Sequence, residues 1–345
     1  MCNIAGYIGE REAAPILIDM IRAQEGLNGG FYTGIATLHK GKIHYRKVVG
    51  DLETLLKRTD AASLPGNIGI IHSRTPGDQG DEWAHPFVCE RDGEVFTAHV
   101  YNGSVGHFDY IDEKRARVAE KLIKEGFSMR SHVFGSNGKR VTLSDNSRVH
   151  ISDIMCQLIS QKMLQGERSD IAMENGFCEI PAEIVGLMLS ANDPDAIVFA
   201  RINMPMHAGF ADHGTYLASA PQAFPNDKKG EPYLLPAFSK GYIKKNGISL
   251  SLFEKAPATL APLSASLMSE SYAAVSKALR ESKRTMPELA KLIKPLFDEA
   301  DCLQAACAVY KILDDLKQKN LLKIERGTRP GVFEGLTAPV FYLYI

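Results

Sequence analysis

Cysteine at position 2, directly behind Met1, constrains this chain more than any other residue. Trimming of Met1, which the small Cys2 side chain permits, would make Cys2 the N-terminal residue and put a thiol and a free α-amine on one residue. The reference pKa values are roughly 7.7–8.0 for the amine and about 8.5 for the thiol, so the amine can accept the thiol proton near neutrality. The run Asn3-Ile4-Ala5-Gly6-Tyr7-Ile8-Gly9 reads as a short buried strand, with glycines where backbone must approach closely. Taken alone, this stretch is either a nucleophile leading into a strand or a core strand that happens to carry a cysteine.

Further segments bring polar residues to the ends of apolar runs. In Gly69-Ile70-Ile71-His72-Ser73-Arg74-Thr75 a strand delivers Arg74, whose guanidinium suits either a carboxylate ligand or an ion pair. Asp81-Glu82-Trp83-Ala84-His85-Pro86-Phe87 places His85 in a loop, as a pocket residue or a structural one. Val95-Phe96-Thr97-Ala98-His99-Val100-Tyr101-Asn102-Gly103 runs into Asn-Gly, a common hairpin turn signal, yet residues 104–108 make a poor return strand. Val149-His150-Ile151-Ser152-Asp153 leads into an apolar helix over residues 154–164, and Ser152 or Asp153 suits its N-cap, a role worth about 1 kcal/mol.

These segments occur in the order and rough spacing of the class II glutamine amidotransferases, N-terminal-nucleophile hydrolases that open with Met-Cys-Gly. The chain resembles most the glutaminase half of glucosamine-6-phosphate synthase, over residues 2–253. The resemblance implies an α+β fold, a four-layer αββα sandwich. It also implies roles. Cys2 attacks the amide of L-glutamine, Asn102 (side-chain amide) and Gly103 (backbone N–H) hold the oxyanion, and Arg74 grips the α-carboxylate. Asp153 binds the α-ammonium, with Asp145 as a substitute, and His85 joins the substrate pocket. No metal or cofactor is implied. Several positions depart from the family pattern. Asn3 replaces its glycine, and Gly30-Phe31-Tyr32-Thr33-Gly34-Ile35-Ala36 is a shortened form of its Arg-Gly-Tyr-Asp segment, without the aspartate or the arginine. Thr75-Pro76-Gly77-Asp78-Gln79-Gly80 stands where the family has Trp-Ala-Thr-His-Gly.

The rest of the chain bounds the reading. Helical spacing covers residues 12–25, with Gly29-Gly30 behind it; strands are expected over 31–38 and 43–49, and a helix over 113–126. A hairpin is expected within 127–149, around Gly138-Lys139, and another at Lys245-Asn246-Gly247. A Pro/Ala-rich linker, residues 255–265, separates domain 1–254 from a small C-terminal unit, residues 266–345. There, helical spacing at 269–280, 286–293 and 298–319 and strands at 321–326 and 340–345 resemble a winged helix. Its third helix carries Ala305, Ala306, Cys307, Val309 and Tyr310 rather than a base-reading face, which points to packing or protein interaction and to no nucleic acid. A formal net charge of −1 agrees.

The six cysteines show no metal-ligand spacing and are too sparse for a disulfide scaffold among 345 residues. With no signal-peptide pattern and no long apolar run, a cytoplasmic protein without a membrane partner is expected. The roughly 80 residues after the sandwich are too few for a pair of phosphosugar-isomerase domains, so the acceptor of the ammonia is expected on a separate synthase subunit. Two alternatives stay open: an N-terminal-nucleophile amidohydrolase for a different amide, and a catalytically silent regulatory protein of the same fold.

Overall fold

The structure is a computed structural model that describes residues 2–134, 141–258 and 261–345. In chain order the sandwich is built from β1 (Asn3–Gly9), α1 (Ala13–Gln24), β2 (Tyr32–His39), β3 (Lys42–Val49), α2 (Leu52–Arg58), β4 (Ile68–Arg74), β5 (Phe87–Arg91) and β6 (Glu94–Ser104). Then come α3 (Asp112–Lys124), the short β7 (Val141–Thr142) and β8 (Arg148–Val149), α4 (Ile151–Leu164), α5 (Ser169–Glu179), β9 (Glu183–Ser190) and β10 (Ile197–Arg201). It closes with β11 (His207–Ala211), β12 (Gly214–Ala218), β13 (Lys229–Leu234), β14 (Ser239–Lys244) and β15 (Gly247–Leu252).

Two antiparallel sheets stack face to face. One has seven strands in the order β13-β11-β12-β1-β4-β2-β3, the other six in the order β15-β14-β10-β9-β6-β5. β1 is central because its residues are apolar on both faces, the signature of a strand covered on each side. Ile4 and Ile8 point between the sheets, against Leu187, Phe199, Leu217 and Ile243. Ala5 and Tyr7 point the other way, into a cluster with Leu17, Met20 and Ile21 of α1. The outer face of the second sheet packs Tyr101, Met188 and Val198 on Met155, Ile159 and Phe177 of α4 and α5. Helices, two sheets and helices again give the αββα sandwich that the sequence implied.

The remaining elements are α6 (Ala265–Glu281), α7 (Met286–Glu299), α8 (Ala305–Gln318) and the hairpin β16 (Lys323–Pro330) with β17 (Thr337–Tyr344). Ser264 caps α6 by accepting from Leu267 N, and Thr285 with Glu288 forms a capping box on α7. Their apolar faces meet in one cluster, with Leu279, Ile293, Phe297, Leu313 and Leu343 among its members. Leu27 and Ala220 of the sandwich belong to the same cluster.

Several elements differ from the sequence reading. α7 runs through Pro295 to Glu299 instead of stopping at Ile293, because Leu289, Ile293 and Phe297 stay buried on one face. α8 accordingly begins at Ala305, with Asp298 in the helix before it. α5 was not anticipated, since its buried face includes Asp170 and Glu174, and Glu174 pairs with buried Lys240 of β14. Of the hairpin expected within 127–149, Gly138 and Lys139 lie outside the described residues; the described part pairs Val141 with Val149 and Thr142 with Arg148. Met1 and part of the expected linker also lie outside.

Behind the strand that carries Arg74, a buried carboxyl joins four elements. Glu25, just past α1, accepts from Ser73 Oγ of β4 (2.8 Å), Thr33 Oγ1 of β2 (3.1 Å) and Leu52 N of α2 (3.0 Å). Burial pushes its carboxyl up to about 7, against the pull of the Ser73 and Thr33 hydroxyls. Between 4.5, its ordinary value, and about 7 the folded chain therefore holds a proton that the unfolded chain has released. Stability should fall as pH rises through that window and stay lower above it. Glu25→Gln should flatten this slope, which thermal unfolding midpoints at pH 5 and pH 8 would measure; an unchanged slope would mean that Glu25 is ionised throughout.

Candidate active site

β1 and β4 lie side by side, with Asn3 opposite Ser73 and Ile4 opposite His72. Cys2 is one side-chain period before Ile4, so it shares a face with His72 and neighbours it diagonally. β6 of the other sheet ends over the same spot. The main-chain nitrogen of Cys2 donates to Asn102 Oδ1 at 2.8 Å, and Cys2 Sγ lies 3.9 Å from Thr75 Oγ1. A cavity of about 290 Å³ opens here, lined among others by Cys2, Arg74, Thr75, His85, Tyr101, Gly103, Asp112, His150 and Ser152. Four of the sequence-predicted residues, Cys2, Arg74, His85 and Gly103, thus share one cavity, and Asn102 is bonded to the first of them.

Asn102 is fully buried, and with its oxygen committed to Cys2 the amide nitrogen must point elsewhere. Nδ2 has no hydrogen-bond partner among the described residues. An unmatched buried donor costs about 1–3 kcal/mol unless something occupies it. Asn102 and Gly103 form no turn: they lie inside β6, opposite Val185 and Ile184. A Cβ on Gly103 would fall 2.3 Å from the Glu183 carbonyl oxygen, which explains the glycine.

Arg74 sits at the end of β4 opposite Tyr32. Its guanidinium lies over the Tyr32 ring at 4.8 Å, and Nη1 donates to Trp83 O at 3.0 Å. Tyr32 is itself held by its hydroxyl to Gln79 O (2.7 Å), so the shortened glycine-rich segment and the replaced loop together cradle Arg74. His85 is buried, and neither ring nitrogen has a hydrogen-bond partner among the described residues. Its ring lies tilted against that of His72, with centroids 3.9 Å apart. Burial first, then the neighbouring His72 and His150 and the guanidinium of Arg74, hold it well below the ordinary histidine value, so it is a neutral imidazole. Gly34 makes room for this loop, since a Cβ there would meet the His85 carbonyl oxygen at 2.1 Å.

Asp153 requires a correction. It does not line the cavity; Oδ2 accepts from Ser131 N and Oγ (both 2.8 Å) and Oδ1 from Gln157 Nε2 (3.2 Å). Burial raises its carboxyl above the usual range despite those donors. Nor does it or Ser152 cap α4: His150 does, with Nδ1 accepting from Ser152 N at 3.1 Å. Helix residue 153 faces the Ser131 loop because the helix starts three residues earlier than its apolar run suggested. Asp145 is spent on its own turn, bonded to Ser147. The carboxylate in the cavity wall is Asp112, at the start of α3, which also accepts from Arg115 (2.5 Å).

The sequence also hid His72. Its Nε2 lies 2.9 Å from Tyr101 O, and since a carbonyl only accepts, Nε2 carries the proton. Nδ1 has no hydrogen-bond partner among the described residues. Burial alone would raise the thiol of Cys2; the neighbouring His72, with the chain's amino end and Thr75, outweighs burial and holds the thiol at about 6. Cys89 and Cys156, without such a neighbour, are pushed up instead. The alternation along β4 was the available signal, because it puts residues 70, 72 and 74 on one face.

No protein-family model matches the chain. Among curated proteins it is 28% identical over 226 residues to glutamine–fructose-6-phosphate aminotransferase (isomerizing) of Pyrococcus horikoshii, which covers 65% of this chain and 33% of that one. It is 30% identical over 223 residues to the Chlorobaculum tepidum enzyme of the same name, covering 64% and 32%. The chain therefore spans about a third of the length of these relatives. Among solved structures it matches the Bacillus subtilis glutamine phosphoribosylpyrophosphate amidotransferase with a TM-score of 0.55 and 16% identity, over 73% of this chain and 49% of that one. A structure described as the allosteric regulatory enzyme of purine biosynthesis gives 0.56 at 16% identity. The αββα fold is shared with these two structures. The sequence is similar to glutamine–fructose-6-phosphate aminotransferases over about two thirds of its length. Among the described residues no helix is long and apolar enough to cross a membrane, and no cluster of His, Cys, Asp and Glu is arranged to hold a metal.

If His72 sets the acidity of the thiol, alkylation of Cys2 by iodoacetamide should rise with pH around a midpoint near 6. In His72→Gln that midpoint should move up by roughly 1–2 pH units. Mass-resolved alkylation rates from pH 4.5 to 9 measure it, and an unmoved midpoint would remove His72 from the site.

Proposed function

We propose that this chain hydrolyses the side-chain amide of L-glutamine through a thioester on Cys2 and delivers the ammonia to an acceptor enzyme on another chain. The observation that carries the reading is Asn102, whose oxygen fixes the nucleophilic residue while its nitrogen stays unmatched beside it. In this reading Met1 is removed and the α-amine of Cys2 takes the thiol proton, with His72 stabilising the thiolate. The sulfur bonds to the amide carbon, and the negative charge that forms on oxygen meets Asn102 Nδ2 and Gly103 N–H. The C–N bond breaks as the ammonium returns its proton to the leaving nitrogen, which departs as ammonia. Water then adds to the thioester, the C–S bond breaks, and glutamate leaves with the thiol restored.

Arg74 holds the α-carboxylate of the substrate and the neutral His85 offers polar contacts to its amino-acid end. Asp112 takes the α-ammonium role first expected of Asp153. The acceptor lies outside these 345 residues in this reading, and the similarity to glutamine–fructose-6-phosphate aminotransferases suggests a sugar phosphate as its substrate.

One observation favours a second reading. Because Asp153 is withdrawn and Asp112 is shared with Arg115, an amide without an α-ammonium group would suit the cavity as an amidohydrolase substrate. Turnover of glutamine against amides that lack the α-amino group separates the two.

The direct test is intact-mass analysis after treatment with a diazo-ketone glutamine analogue, alongside ammonia release from glutamine. Loss of Met1 and one adduct on Cys2 are expected. Asn102→Ala should lower the rate of ammonia release by about 100-fold or more, as loss of one oxyanion donor does. A retained Met1, or no adduct at saturating reagent, would overturn the assignment.

A further inference from the structure

The C-terminal unit reaches the residue next to the nucleophile. α8 presents Gln304, Cys307 and Tyr310 towards the sandwich; the first is its N-cap and the others follow at intervals of three, the spacing of one helix face. The buried guanidinium of Arg201, on β10, donates through Nη2 to Gln304 Oε1 (3.2 Å) and Cys307 Sγ (3.3 Å) and is otherwise satisfied by carbonyl oxygens. Asn203 adds a bond from Nδ2 to Leu303 O at 2.8 Å. These contacts fix α8 in one register on the sandwich. One turn further, Tyr310 Oη donates to Asn3 Oδ1 at 3.2 Å and accepts from Asn28 Nδ2 at 3.1 Å.

Asn3 is the first residue of β1 and follows Cys2. Its side chain is fully buried, and Nδ2 donates to Gln24 O (2.6 Å) and Asn28 O (2.5 Å). Asn28 also donates to Met286 Sδ of α7 at 3.2 Å. The strand ladder holds the chain only from Asn3 onward, so the position of Cys2 is set by Asn3 on one side and by the bond to Asn102 on the other. A glycine at position 3, as in the family pattern, would have no side chain for Tyr310 to hold. The hydroxyl is also close enough to sense the nucleophile: burial raises its pKa, and negative charge on Cys2 adds to the rise.

We propose that Tyr310 is a positioning residue for the nucleophile. Through Asn3 and Asn28 it couples the seating of the C-terminal unit to the placement of Cys2, and Asn3 is the sandwich's half of that coupling. The proposal rests on the glutaminase reading for its kinetic consequence, though the contact itself does not. Misplacement of a reacting group by about 1 Å costs on the order of a hundredfold in rate, so a loosened Asn3 is felt in the chemical step.

The test uses the full chain with Tyr310→Phe, Asn3→Gly and the double variant. Rates are expressed per active site titrated with the diazo-ketone analogue, which removes any unfolded fraction. Tyr310→Phe should lower kcat for glutamine about tenfold or more at an unchanged KM, and leave the pH midpoint of Cys2 alkylation where it is, since His72 is untouched. The double variant should be no slower than the slower single variant. Hydrogen exchange should show faster exchange at the start of β1 in each. A wild-type kcat in Tyr310→Phe, a change in KM alone, or additive losses in the double variant would overturn the proposal. Should Tyr310→Phe fail to fold, Asn3→Gly alone carries the same kcat and exchange readouts. If the wild-type protein releases no ammonia and takes no adduct, the glutaminase reading fails; exchange at β1 then still decides the contact, and unchanged exchange would sink it.

Discussion

The bond from the Cys2 main-chain nitrogen to Asn102 Oδ1 joins the two sheets where they open. One partner precedes the central strand of the seven-stranded sheet; the other is near the end of β6 in the six-stranded one. As a contribution to stability a buried amide hydrogen bond is worth about 1 kcal/mol. Its geometric effect is larger, because it sets the sulfur, the unmatched Asn102 Nδ2 and the cavity wall in one frame. The apolar layer between the sheets, with Ile4, Val100, Val185 and Leu187, holds that frame rigid from below.

The cavity's electrostatics follow from what is buried around it. Arg74 and Arg148 both lie against the Trp83 ring, the His72 and His85 rings touch at a tilt, and His150 caps α4 at the rim. The buried carboxyls nearby are turned elsewhere: Glu25 towards Ser73 and Thr33, Asp153 towards Ser131. In a low-dielectric site with guanidinium groups nearby and the buried carboxyls turned away, a thiolate is the anion that the surroundings favour. Cys89 and Cys156 have no such surroundings, and burial above all pushes them up.

What the sequence revealed tracks the range of the interaction involved. β1 and β4 were legible because apolar runs punctuated by glycine need no tertiary context. α5 was not, since its buried carboxylates only make sense once Lys240 is beside them. The short strands β5, β11 and β13 have five or six residues and little alternation, so nothing local announces them. At the site, Cys2, Arg74, His85 and Asn102 were named through the motifs they sit in. His72 needed the β1–β4 register, Asp112 needed the fold of α3 over the cavity, and Tyr310 is 307 positions away from Asn3. Asp153 misled because an acidic residue at a helix start serves a ligand, a cap or a neighbouring loop equally well from sequence alone.

The shared apolar cluster has a practical corollary for anyone shortening the gene. Ending the polypeptide after β15 would strip the cover from Leu27 and Ala220, and would take Tyr310 from Asn3 and Asn28 and two acceptors from Arg201. The remaining fragment would keep both sheets yet show water a greasy scar edged with orphaned amides, so poor solubility of such a fragment would say little about the soundness of the sandwich itself.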